Sequence, residues 1–65
     1  MEWISVDERL PEDGKFVMIY NPRGMMMRSI GNLQRETFTW WDVISGVWTK
    51  SVTHWQPLPA PPKSL

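Results

Sequence analysis

The chain has 65 residues, no cysteine, one histidine, and seven basic residues against seven acidic ones. That length holds one domain, 1–65. The missing thiols exclude disulfides, thiol nucleophiles and thiolate metal centres, and a single histidine leaves a structural zinc short of ligands. Zero net charge argues against a protein whose task is gripping duplex phosphate, and no apolar run approaches the ~18 residues of a membrane span.

Charge is nevertheless uneven. Residues 1–14 carry Glu2, Asp7, Glu8, Glu12 and Asp13 against Arg9 alone, whereas residues 15–35 carry Lys15, Arg23, Arg28 and Arg35 and no acid. Two solvated faces of opposite sign account for this simply. A basic strand surface that receives an anion is the sharper alternative. Five tryptophans must supply much of the core, each worth about 5 kcal/mol when fully buried. So small a domain is marginal alone, which favours a homo-oligomer.

In chain order, Ser5-Val6-Asp7-Glu8 fits a capping box and predicts a short N-terminal helix. Pro11 limits it to one or two turns. Pro11-Glu12-Asp13-Gly14 is turn chemistry, with a glycine free to take positive φ. Phe16-Val17-Met18-Ile19-Tyr20 predicts a buried first strand. Asn21-Pro22-Arg23-Gly24 turns the chain into a second strand over residues 25–30, and Gly31-Asn32 suggests a bulge. Residues 37–43 read as a third strand, and residues 47–55 alternate well enough for a fourth. Four of the six residues from Pro57 to Pro62 are proline, so residues 57–65 form an extended strap or tail on the domain. The predicted fold is α+β or mainly β: an antiparallel meander of three to four strands, a short N-terminal helix and a Pro-rich C-terminal strap.

Phosphate-binding glycine patterns are absent, because Gly14, Gly24, Gly31 and Gly46 fall one to a turn. His54, in Thr53-His54-Trp55, has no nucleophile or paired acid placed beside it by the sequence, and reads as a strand residue rather than a base. Trp40-Trp41 is the sharpest feature. On a strand the two rings point to opposite faces, so one lies in the core and the other needs a cover. Met25, Met26 and Met27 add an adaptable apolar surface, and the prolines of the tail could themselves dock on a partner's aromatic groove.

The strings Trp3-Ile4-Ser5-Val6-Asp7-Glu8-Arg9-Leu10-Pro11-Glu12-Asp13-Gly14, followed by Phe16-Val17-Met18-Ile19-Tyr20, and Val52-Thr53-His54-Trp55-Gln56-Pro57-Leu58-Pro59-Ala60-Pro61-Pro62 resemble the domain-of-unknown-function family 551. The middle, residues 21–51, fits that family only loosely. The resemblance implies a small protein of tailed phages or enterobacterial prophages, expressed in the cytoplasm of the infected or lysogenic host. It carries no catalytic residues.

The expectation is therefore a non-catalytic accessory protein, without cofactor, metal or membrane, that binds a host protein, in one version to counter host defence. The binding candidates are Trp40, Trp41, Trp48, Met25, Met26 and Met27 as apolar anchors, with Arg23, Arg28 and Arg35 as charge. One alternative is a sequestering protein that stacks a nucleotide or small anionic ligand on Trp41 or Trp48 and holds its phosphate with Arg28 or Arg35. Another is single-stranded nucleic acid binding by the same side chains.

Overall fold

A computed structural model describes residues 2–59. Six strands form one antiparallel sheet: β1 (Ile4–Ser5), β2 (Val17–Tyr20), β3 (Arg28–Gln34), β4 (Thr39–Asp42), β5 (Val47–Thr49) and β6 (His54–Pro57). Their order across the sheet is β1-β6-β2-β3-β4-β5. From β2 to β5 the chain is the predicted meander, and β6 then returns to pair with β2 on its other side.

That return forces the sheet to curl. Thr49 and His54 are five residues apart and can be at most about 18 Å distant. Four flat strand spacings between β5 and β6 would need about 19 Å. The curl shows directly in hydrogen bonds across the concave side. The Asn21 side-chain amide, just past β2, donates to Thr49 Oγ1 in β5 at 3.1 Å, and the Ser51 hydroxyl donates to Asn21 Oδ1 at 2.6 Å. Strands three apart in a flat sheet would lie about 14 Å from one another.

The concave face holds the core. Register places Ile4, Trp55 and Ile19 in one row and Leu33 and Trp40 in another, and Val17, Ile19, Leu33, Trp40, Val52 and Trp55 are buried. The segment between β1 and β2 lies over this face, with Val6 and Leu10 packed on the cluster. Hydrogen bonds pin it along its length: Val6 N donates to Thr53 O at 3.0 Å, Gly14 N donates to Leu33 O at 2.8 Å, and Trp55 Nε1 donates to Arg9 O at 2.9 Å. Arg9 also sits over the Trp55 ring. The predicted Pro11–Gly14 turn forms one residue later, over Glu12–Lys15, where Lys15 N donates to Glu12 O at 3.2 Å and Gly14 takes φ +74°.

The N-terminal helix does not form. Asp7 N donates to Ser5 Oγ, as in a cap, and Glu8 N and Arg9 N donate to Ser5 O, but the chain makes that one turn only. Ile4 and Ser5 are drawn instead into strand pairing with Trp55 and His54, and Pro11 leaves no room for a second turn. The count of three to four strands becomes six for a related reason. Residues 47–55 break at Lys50–Thr53, because the chain must leave one sheet edge and cross to the far side of β2. Residues 25–27 lie in a loop, so the second strand starts at Arg28. The third starts at Thr39, after a turn in which Phe38 takes φ +52°.

No bulge interrupts β3 at Gly31. A side chain there would put Cβ 2.3 Å from the Trp41 carbonyl oxygen, so glycine is required by the closeness of β4 rather than by a bend. Pro57 is the last residue of β6, and residues 60–65 of the expected strap lie outside the described part. Among the described residues no helix is long and apolar enough to cross a membrane.

Candidate functional site: the outer face of the sheet

Residues directly opposite in an antiparallel pair share a face. On the convex side one row therefore holds His54, Tyr20 and Arg28, the next the buried Gln56 with Met18 and Ile30, the next Asn32, Trp41 and Trp48, and the last Gln34 and Thr39. Val43, whose N–H donates to Ile30 O, extends the second row. Trp3 packs on Tyr20 at one end of this side, and Ile30, Val43 and Trp48 are its exposed apolar residues. Between Arg28 at one corner and Lys50 beyond the other, these rows contain no Asp, Glu, Lys or Arg.

Strand alternation resolves the adjacent tryptophans. Trp40 points into the core and is 0% exposed, so it cannot serve as the surface anchor expected of it. Trp41 points outward beside Trp48, their centroids 5.1 Å apart and planes tilted by 53°. Trp41 is half-buried and Trp48 is 56% exposed. The pair forms because the two residues are directly opposed on β4 and β5. A shallow groove of about 420 Å³ opens next to Trp48, lined by Gln34, Glu36, Thr37, Thr39 and Lys50.

A second aromatic group stands at the other end of this face. Trp3 tilts against Tyr20 at 5.9 Å, and Tyr20 meets the His54 ring edge-on at 6.2 Å. Trp55 is buried, as its place opposite Ile19 requires, whereas Trp3 is only half-buried. His54 Nδ1 lies 2.9 Å from the hydroxyl of its neighbour Thr53, a local bond of the kind expected for a strand histidine.

The other candidates are not gathered at the tryptophan pair. Met25, Met26 and Met27 sit with Arg23 in the loop between β2 and β3, with Met25 98% exposed. Arg28 opposes Tyr20, four positions along β3 from the residue opposite Trp41, or about 13 Å by strand rise. Arg35 lies past the far end of β3, where its backbone N–H donates to Asp13 Oδ1 at 2.7 Å. The cation beside Trp48 is Lys50. Strand alternation from Trp48 would have found it, but the arginines drew attention because they stand in a run without acids.

Asp42 is the one buried carboxylate of the hairpin between β4 and β5. Its Oδ1 accepts from the Ser29 hydroxyl at 2.5 Å and from Ile44 N and Ser45 N at 3.0 Å, and its Oδ2 accepts from the Ser45 hydroxyl. Burial alone would push its pKa up. The bonds from Ser29, Ser45 and Ile44 together outweigh burial and hold it below the ordinary 3.8. This carboxylate clamps the hairpin that carries Trp48, and it faces the concave side. Among the described residues no three acidic or histidine side chains converge into a metal-binding group.

No curated protein and no solved structure matches the chain. Residues 2–63 match the family described as "Protein of unknown function (DUF551)"; with nearly its whole length matched, the chain belongs to that family.

Proposed function

We propose that the protein is a non-catalytic binding module, a phage or prophage accessory factor acting in the cytoplasm of its bacterial host, whose partner is a host protein that docks on the outer sheet face around Trp41 and Trp48. The observation that carries this reading is the exposed Trp48 packed beside the half-buried Trp41, in a row that holds no charge. Large aromatics on an open face cost solubility unless something covers them, and tryptophan is among the residues that dominate binding energy at protein interfaces. A face whose cations stand only at its corners suits an apolar protein surface better than a phosphate backbone.

The groove beside Trp48 favours one second reading. A planar anionic ligand such as a nucleotide would stack on Trp48 and place its charge at Lys50. Glu36, which lines the same groove, opposes that charge, which ranks this reading second. Single-stranded nucleic acid would meet the same shortage of cations.

The test is affinity capture from an enterobacterial lysate with wild type, Trp41→Ser, Trp48→Ser and, off this face, Glu12→Gln, followed by mass spectrometry. A partner held by wild type and Glu12→Gln and lost from both tryptophan variants supports the proposal. A partner captured equally by all four proteins would contradict it.

A further inference from the structure

The backbone of β5 carries a second consequence. Val43 N donates to Ile30 O, which makes 30 and 43 a hydrogen-bonded pair. Antiparallel pairs alternate, so Asn32 and Trp41 also form such a pair, and the N–H and C=O of Trp41 point toward β3. Trp41 and Trp48 are then a non-hydrogen-bonded pair, the closer of the two kinds, in agreement with their ring contact. The N–H and C=O of Trp48 therefore point away from β4, at the open edge of the sheet.

Only its shortness and the flanking Lys50 blunt that edge. β5 has no proline and no charged residue within Val47–Thr49, no described strand lies beyond it, and Val47 and Trp48 are exposed.

We propose that β5 pairs antiparallel with β5 of a second copy about a two-fold axis at Trp48, joining two six-stranded sheets into one. The edge is self-complementary in that register, as a two-fold contact demands. Each Trp48 exchanges both backbone bonds with its counterpart. Val47 meets the partner's Thr49, a β-branched pair suited to cross-strand packing. Lys50 meets the partner's Gly46, so no like charges oppose. The pairing puts both Trp48 rings on the outer face and makes one row of four tryptophans from two Trp41–Trp48 pairs. This dimer does not depend on what docks on the face, and it is measured without any partner.

A contact on so short an edge stands at the low end of interface size, for which a dissociation constant of roughly 1–100 μM is expected. Sedimentation equilibrium from about 5 to 500 μM should show wild type rising to twice its chain mass of 7.7 kDa. Trp48→Pro removes the ring together with an N–H that β4 does not use, so the ladder to β4 keeps its hydrogen bonds. Trp48→Thr removes the ring but keeps that N–H. We expect Trp48→Pro to weaken the dimer by roughly 100-fold and Trp48→Thr by clearly less. A wild type that stays at 7.7 kDa at 500 μM would overturn the proposal, as would Trp48→Pro dimerising as tightly as Trp48→Thr. Should Trp48→Pro not fold, Trp48→Cys decides, since the chain has no other cysteine. Mild oxidation should cross-link it at least tenfold faster than Arg23→Cys, and equal rates would overturn the pairing.

Discussion

Two buried tryptophans differ in one atom's surroundings, and the difference reverses the order that burial alone would give. Trp40 is 0% exposed and Trp55 6%. Trp55 Nε1 donates to Arg9 O, whereas Trp40 Nε1 is buried with no partner among the described residues. Replacing either by Phe removes about 40 Å² of ring surface, near 1 kcal/mol, and leaves a small cavity worth up to about 1 kcal/mol more. Trp55→Phe also loses the hydrogen bond to the Arg9 carbonyl, adding about 1 kcal/mol. Trp40→Phe instead removes an orphaned donor and recovers about 1–3 kcal/mol of desolvation cost. The expected costs are about 2–3 kcal/mol for Trp55→Phe and between a gain of about 2 and a cost of about 1 kcal/mol for Trp40→Phe. In a domain this small the gap of roughly 2–4 kcal/mol separates the melting temperatures by about 8–32 °C. Urea unfolding of both variants, with unchanged m-values, measures it. Trp40→Phe as destabilising as Trp55→Phe would refute the reasoning.

Further expectations concern the sheet. Gly31→Ala drives a methyl into the Trp41 carbonyl and the Ile19 side chain, and should cost about 2–3 kcal/mol in chemical denaturation; a neutral result would show that β3 and β4 are farther apart. Asp42 has its pKa depressed by folding, so its contribution to stability is complete above the ordinary carboxylate value of 3.8 and is lost as pH falls through the lower folded value. Asp42→Asn should therefore be less stable than wild type at pH 7, and melts recorded between about pH 7 and pH 2 should bring the two curves together. Curves that stay parallel across that range would remove the charge from the account.

Much of the meander was legible because its signals are local. Phe16 to Tyr20, the Asn21–Gly24 turn and the β-branched and aromatic run at 37–43 each specify structure within a few residues, the last of them two residues too early at its start. The adjacent pair Trp40-Trp41 correctly implied one buried and one outward ring, since strand alternation leaves no other choice. What could not be read was set by distant partners. Ser5-Val6-Asp7-Glu8 carries a good helix-start pattern, yet pairing of Ile4 with Trp55, fifty-one positions away, overrides it. Likewise, the break between β5 and β6 follows from a sheet order that no local pattern encodes. Arg28 and Arg35 stand at opposite ends of β3, and spacing along the sequence hid how far a strand carries them from the tryptophans.

The central claim is that a partner meets the outer face at Trp41 and Trp48 while Trp40 and Trp55 stay enclosed. The indole N–H region of a ¹⁵N–¹H correlation spectrum gives one cross-peak for each of the five tryptophans, and it tests the claim directly when the captured partner is titrated in. The Trp41 and Trp48 peaks should shift or broaden first, with those of Trp40 and Trp55 unchanged. A partner that perturbs other indoles and leaves the Trp41 and Trp48 peaks in place would contradict the assignment of this face.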